Sequence, residues 1–455
     1  MKGMIKLIHA FTFDGTNIVL DVNSNAVHEV DEPTLQIIKD YQAMSETGLV
    51  HKYGPIYGND VVMEIIGEIK ELTDSGLLFS PDPLPGGYEP PGGETVKALC
   101  LNLAHDCNLR CRYCFAGQGD FGGGRELMPA EVGRAALDFL MRASGDRRHV
   151  EVDFFGGEPL MNRAVLADLV EYGRTKAREA GKEIKFTLTT NVTLLDREMQ
   201  QFIGHHDLAV VLSVDGRPQV HDRMRVTAAG GGSYRQVMDK IMEFTGSPHC
   251  REYIIRGTFT RHNLDFSADV KHLAEAGLNH ISVEPVVAGA DTDYTFRDED
   301  IPVLMEEYDK LTRYLLERHR QGRPVDFFHF NIDLEDGPCL PKRLTGCSAG
   351  SEYLAVVPGG VLYPCHQFVG KDDFQVGTVY EGVVKKNIAN IFRSAHIYNK
   401  NECCQCWAKF HCSGGCHANA YAFNGDLLKP YSLGCILARK RLECALYLKI
   451  KTRVD

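Results

Sequence analysis

The sequence predicts an α/β protein, and three observations carry that prediction. Between residues 97 and 325, short apolar runs alternate with amphipathic stretches six times over. Polar or glycine residues close these runs, at His105–Asp106, Gly156–Gly157–Glu158, Thr190–Asn191, Ser213–Asp215 and Glu284. From about Cys339 the rhythm stops, and ten of the fifteen cysteines fall at or after that point. Six successive strand–helix units imply parallel strands joined by right-handed crossovers. An open sheet and a partial barrel share that pattern, and both gather ligands at the carboxyl ends of their strands.

The elements follow in order. Residues 1–80 hold three short, partly alternating runs, LIHAFTFDG, TNIVLDV and NAVHEVD, separated by turn residues and expected as small strands. Two helical patterns follow, one opened by Pro33 and one over residues 61–72. Such a module suits a binding domain or a structural cap. Residues 81–96 are rich in proline and glycine and are expected as an extended linker. Strands are expected over 97–103, 149–155, 185–190, 208–214, 253–260 and 280–286. Helices are expected over 130–141, 164–179, 196–205, 234–244, 264–276 and 301–320. Residues 326–455 form a third unit of turns and short segments, with a hairpin over 354–364 and a last helix near 435–450. So many thiols in so little apolar mass point to stabilisation by metal.

Composition narrows the function. The chain has 455 residues, 44% apolar and 24% charged, with a formal net charge of -11. No basic stripe appears, so nucleic acid is not the expected partner. No run of roughly 18 apolar residues is present, so no membrane span is expected. With no export signal in view, a reducing cytoplasm is expected, and the cysteines read as metal ligands rather than disulfides.

Cys107, Cys111 and Cys114 are spaced CxxxCxxC after an apolar run, with Tyr113 and Phe115 flanking the third. Three thiolates leave one iron of a 4Fe–4S cube open. The alternatives are a zinc knuckle, with His105 as a conceivable fourth ligand, or buried free thiols. The run LNLAHDCNLRCRYCFAG resembles the radical SAM signature. That resemblance implies a partial (β/α)6 barrel, a 4Fe–4S cluster, and S-adenosylmethionine on the open iron as the source of a 5′-deoxyadenosyl radical. It also implies that Gly156, Gly157, Glu158, Asn191, Ser213, Asp215, Arg225 and Glu284 help to seat the cofactor, with Tyr113 and Phe115 beside it.

The later array, Cys347, Gly360, Cys365, then Cys403, Cys406, Cys412, Cys416 and Cys435, resembles a SPASM domain. The resemblance implies two auxiliary 4Fe–4S clusters, making three in all. One takes Cys403, Cys406, Cys412 and Cys435; the other takes Cys347, Cys365 and Cys416. Cys339 is a candidate fourth ligand for the latter, or that site stays open to a substrate thiolate. Cys404, next to Cys403, is either a displaced ligand or a packed thiol.

The whole chain resembles the maturases of SCIFF peptides, most clearly over FTFDGTNIVLDVNSNAVHEVDE, the triplet and the SPASM array. The first unit then resembles a winged-helix-like RiPP recognition element that binds a leader peptide by adding a strand to a sheet edge. The implied reaction joins a cysteine sulfur to a carbon, forming thioether crosslinks in a cysteine-rich ribosomal precursor peptide. Forming C–S from C–H and S–H removes two electrons, so one hydrogen atom goes to the radical and one electron to an oxidised partner. A low-potential donor such as flavodoxin or ferredoxin is the implied source of the priming electron. Sulfatase-maturing relatives place an aspartate after the second SPASM cysteine; this chain has His366, which favours crosslinking over formylglycine formation. Carbon–carbon crosslinking and noncatalytic electron transfer or peptide binding are the other readings.

Overall fold

The computed structural model describes residues 7–84, 87–90, 95–289, 291–334 and 340–453; Cys339 therefore lies outside the described residues. All six expected strand–helix units are present, with strand boundaries shifted by a residue or two. The N-terminal unit is a three-stranded antiparallel sheet, β1 (Ile8–Phe13), β2 (Thr16–Asp21) and β3 (Val27–Val30), in the order β1-β2-β3. Helices Glu32–Tyr41, Glu46–Tyr57 and Asn59–Asp74 pack on it around Val19, Leu35, Ile38, Ile65 and Ile69. The first helix starts where Asp31 accepts a hydrogen bond from Thr34 N at 2.9 Å and Pro33 presets the first turn. The middle helix was not foreseen. Gly48, Gly54 and Pro55 blur its apolar stripe, and Ser45 caps it by accepting from Gly48 N.

The central sheet holds β4 (Ala98–Ala104), β5 (His149–Gly156), β6 (Glu183–Thr190), β7 (Ala209–Ser213), β8 (Tyr253–Phe259) and β9 (His280–Pro285), paired in parallel and in sequence order. β10 (Asp326–Phe327) extends it beyond β9. β11 (Tyr353–Val356) pairs in parallel with β4 at the other side, then β12 (Val361–Tyr363), β13 (Gly377–Thr378) and β14 (Gly382–Val383) continue as an antiparallel meander. The expected hairpin thus forms, but its first strand joins the central sheet. The sheet crosses the boundary expected at residue 326.

Strand alternation explains what the sheet encloses. Val152 and Phe154 of β5, Phe186 and Leu188 of β6, and Ile255 and Phe259 of β8 point outward into the main core. The intervening Asp153, Thr187, Thr189, Arg256 and Thr258 line a single cavity of about 480 Å³. Strands β4 through β9 and β11 all reach that cavity, so the sheet curls around it as a partial barrel does.

The first unit is docked rather than free. His9 of β1 stacks on Trp407 with centroids 3.5 Å apart and bonds Glu443 at 2.9 Å. Asp14 pairs with Arg313, Glu29 with Lys451, and Asn25 with His411. In the linker, Asp82 pairs with the enclosed Lys409 at 2.9 Å and accepts from Tyr398 at 2.7 Å. Among the described residues, no helix is long and apolar enough to cross a membrane.

Candidate functional site: a thiol-lined barrel and two further cysteine groups

The triplet loop leaves β4 and is held from both sides. On one side Gly157 N donates to Ala104 O at 2.7 Å, and Glu158 N to Asp106 O at 2.9 Å. On the other, Arg110 N donates to Val226 O and Arg112 N to Met224 O. The contact with Gly156–Gly157 is too close for side chains. Gly156 has φ +132, and a Cβ there would lie 2.4 Å from Ala104 O. Gly156→Ala is expected to destabilise the protein by about 1–3 kcal/mol and to lower its iron content, checked by thermal melting and iron assay. A melting profile and iron count equal to the parent's would refute this.

Cys107, Cys111 and Cys114 all line the barrel cavity, together with Tyr113, Phe115, Gly156, Gly157, Glu158, Asn191, Ser213, Arg225 and Glu284. Asn191 donates through Nδ2 to Asn108 Oδ1 at 2.9 Å and to the Cys107 sulfur at 3.5 Å, so the end of β6 orients the first thiol. Burial pushes the Cys107 thiol up to about 12 and the Cys111 thiol up to about 11. A bound metal centre reverses this by deprotonating a coordinating thiol outright. Asp215 is fully enclosed and accepts from Tyr113 Oη at 2.6 Å, Arg225 Nε at 3.0 Å and Thr258 N at 3.0 Å. It fixes Tyr113 and Arg225 against the triplet.

Two of the expected residues also bond within the protein. Glu158 lines the cavity, yet its carboxylate is engaged by Leu160 N, Thr190 Oγ1 and Asn191 N, tying the glycine turn to β6. Burial raises its pKa to about 7 despite those three bonds. Glu284 forms an ion pair with Arg256 and lies 3.6 Å from His329. His105 stacks on Phe121 with centroids 4.7 Å apart and lies 3.7 Å from Glu126. It is not among the residues lining the cavity of the triplet.

Several lining residues escaped the sequence reading. Asp153, Arg256 and Tyr353 face the cavity, and burial holds the Asp153 carboxyl up at about 6. The signal was present as polar residues at every second position of VEVDFF, KFTLTT and IRGTF. His366 lies on the same wall, its ring 5.5 Å from Phe115 and 4.9 Å from Phe155, with Nδ1 3.4 Å from Tyr353 Oη. Burial, then the charge of Arg256, pushes its imidazole down to about 4.

Several of the later cysteines share cavities: Cys347, Cys412, Cys416 and Cys435 line one of about 660 Å³. Cys403, Cys406, Cys412 and Cys435 together line a cavity of about 190 Å³. Burial pushes the Cys365 thiol up to about 12. Among the described residues, no three His, Cys, Asp or Glu side chains converge as a single metal ion requires; the thiols ring cavities instead. Soft thiolate sets spread around such spaces suit iron–sulfur clusters. Cys404 turns its thiol to Asn401 O at 3.2 Å. Cys403→Ser is therefore expected to lose about four irons per chain, whereas Cys404→Ser retains them; equal loss from both would reject this assignment.

Comparison with known proteins agrees with this geometry. A model of a 4Fe-4S single cluster domain matches residues 92–239. The radical SAM cyclopropyl synthase TigE of Paramaledivibacter caminithermalis is 22% identical over 375 residues, covering 78% of this chain and 73% of that protein. Native anSMEcpe with bound AdoMet and the Kp18Cys peptide superposes with a TM-score of 0.65 at 19% identity, over 78% of this chain and 99% of that one. The chain has the radical SAM fold. Streptococcus suis SuiB, solved with its precursor peptide SuiA, superposes with a TM-score of 0.54 at 15% identity, over 95% of this chain and all of that one. These likenesses show a shared fold and, over residues 92–239, a similarity to a 4Fe-4S cluster domain.

Proposed function

We propose that the chain is a radical SAM maturase that installs intramolecular thioethers in a cysteine-rich ribosomal precursor peptide. The observation that carries this reading is a shared wall. Glu284, Pro285, Val286 and Val287 line both the barrel cavity and a second cavity of about 660 Å³ that contains Cys347, Cys412, Cys416 and Cys435. Thioether formation needs a carbon and a sulfur held side by side, and a peptide lying across that wall would reach both thiol groups.

In this reading Cys107, Cys111 and Cys114 hold the first cluster. Cys403, Cys406, Cys412 and Cys435 hold a second, and Cys347, Cys365 and Cys416 a third. When bound, the first cluster with S-adenosylmethionine supplies a 5′-deoxyadenosyl radical that takes a hydrogen atom from carbon. Asn191 orients Cys107, while Asp215 holds Arg225 and Tyr113 for the cofactor's polar groups. Phe115, Phe155 and Tyr353 give the cavity apolar walls that keep water from the reacting carbon. The first unit would bind the leader as an added strand on an outer strand of its β1-β2-β3 sheet.

Oxygen-free incubation with a cysteine-rich precursor, S-adenosylmethionine and a reduced flavodoxin or ferredoxin tests this. The expected product has lost two hydrogens per crosslink, and its linked cysteines resist alkylation. Consumption of S-adenosylmethionine with an unchanged peptide would reject it.

A further inference from the structure

Two lysines are completely enclosed in the C-terminal unit, and they are enclosed differently. Lys409 has a carboxylate partner, with Nζ 2.9 Å from Asp82 Oδ2. Lys400, equally inaccessible, donates from Nζ to Gly414 O at 2.8 Å. Its titratable neighbours, among the described residues, are the thiols of Cys403, Cys412, Cys416 and Cys435 rather than a carboxylate. A buried ammonium without an anion is strongly disfavoured. An iron–sulfur cluster held by thiolates supplies that missing anion.

The chain builds the pocket around this ammonium. The Lys400 carbonyl accepts from Cys403 N at 2.9 Å and Cys404 N at 3.1 Å, which anchors the start of one ligand set. Ser413, Gly414 and Gly415 follow Cys412 with φ of 57, 82 and 72, so the loop over residues 412–416 curls back over the lysine. A Cβ on Gly414 would lie 3.1 Å from Nζ. That loop joins Cys412 of one expected ligand set to Cys416 of the other. The ammonium therefore stands at the joint between them.

We propose that Lys400 is a fixed cation that raises the reduction potential of the auxiliary clusters. This rests on the reading of those cysteines as cluster ligands. Reducing a cluster adds one negative charge, and a nearby buried cation favours that state through a poorly screened attraction. The electron comes from the substrate, whose carbon–sulfur bond forms as one hydrogen atom, one proton and one electron leave. An auxiliary cluster held by these thiolates would be the acceptor of that electron. Lys400 touches no substrate; it is a positioning residue that makes the cluster a better acceptor.

The test is an EPR-monitored redox titration of the full-length reconstituted protein as wild type, Lys400→Met and Lys400→Arg. Wild type carrying about twelve irons per chain bears out the cluster reading itself, so a lower iron count would fail that reading and not the role of the lysine. Lys400→Met is expected to lower at least one auxiliary potential by the equivalent of tenfold or more in its equilibrium constant, about 59 mV for a one-electron couple. Lys400→Arg restores it, and the potential of the triplet cluster does not move. Cluster loss from Lys400→Met but not from Lys400→Arg supports the same role for the charge. Unchanged potentials with full iron, or loss of clusters from both variants, overturn it.

Discussion

Cys111→Ala is expected to abolish S-adenosylmethionine cleavage, lowering it by more than about a thousandfold, a loss of roughly 4 kcal/mol or more of barrier reduction. Cys111 is the middle member of the triplet and lines the cavity with Arg225, which Asp215 holds. With two thiolates left, the first cluster has no stable seat, and about four irons should be lost per chain. The auxiliary groups lie in other cavities, so the remaining irons should stay. Cys250→Ser, a thiol outside every one of these cavities, is the control and keeps the full iron count. Iron assay and the formation of 5′-deoxyadenosine measure both effects. A Cys111→Ala protein that still cleaves S-adenosylmethionine at the parental rate would remove the triplet from the chemistry.

Asp82→Asn is expected to be the most damaging change outside the barrel, costing about 3–5 kcal/mol. Asp82 lies in the linker, and its partner Lys409 is only 1% exposed in its side chain. Removing the carboxylate charge leaves that ammonium buried and unpaired. Asparagine can still accept from Tyr398 and Leu84 N through its Oδ1, as the aspartate does at 2.7 and 2.9 Å, so the loss reports the charge rather than the hydrogen bonds. The apparent melting temperature of the oxygen-free holoenzyme should fall by several degrees. Adding Lys409→Met should recover most of the loss, because an apolar side chain of similar length needs no counter-ion. A double variant as unstable as Asp82→Asn alone would mean that the pair is not what secures the linker.

The barrel units were legible because each buries one face against helices. Val152 and Phe154 outward with Asp153 and Phe155 inward give a period of two, and the intervening helices show their apolar stripes. Asp196, which accepts from Met199 N at 3.0 Å, marks a helix start visible in sequence. Helix Glu46–Tyr57 was not legible, because its two glycines and Pro55 carry little pattern, and Gly54 is chosen instead for a close approach by Asn59. The parallel pairing of β11 with β4 was not legible either. It joins residues about 250 positions apart, and nothing in either strand's own pattern names the partner.

The sequence by itself determined the donor chemistry: how many thiols there are, at what spacing, and which polar residues end which strands. These are local properties, fixed by side-chain identity and short chain geometry. Only the tertiary structure decided which thiols share a cavity, that Glu158 ties a turn while Glu284 pairs with Arg256, and that Lys400 Nζ bonds Gly414 O in the loop between Cys412 and Cys416. Those relations depend on long loops closing and on packing between distant segments, and the interleaved order of Cys365, Cys412 and Cys416 along the chain does not specify them.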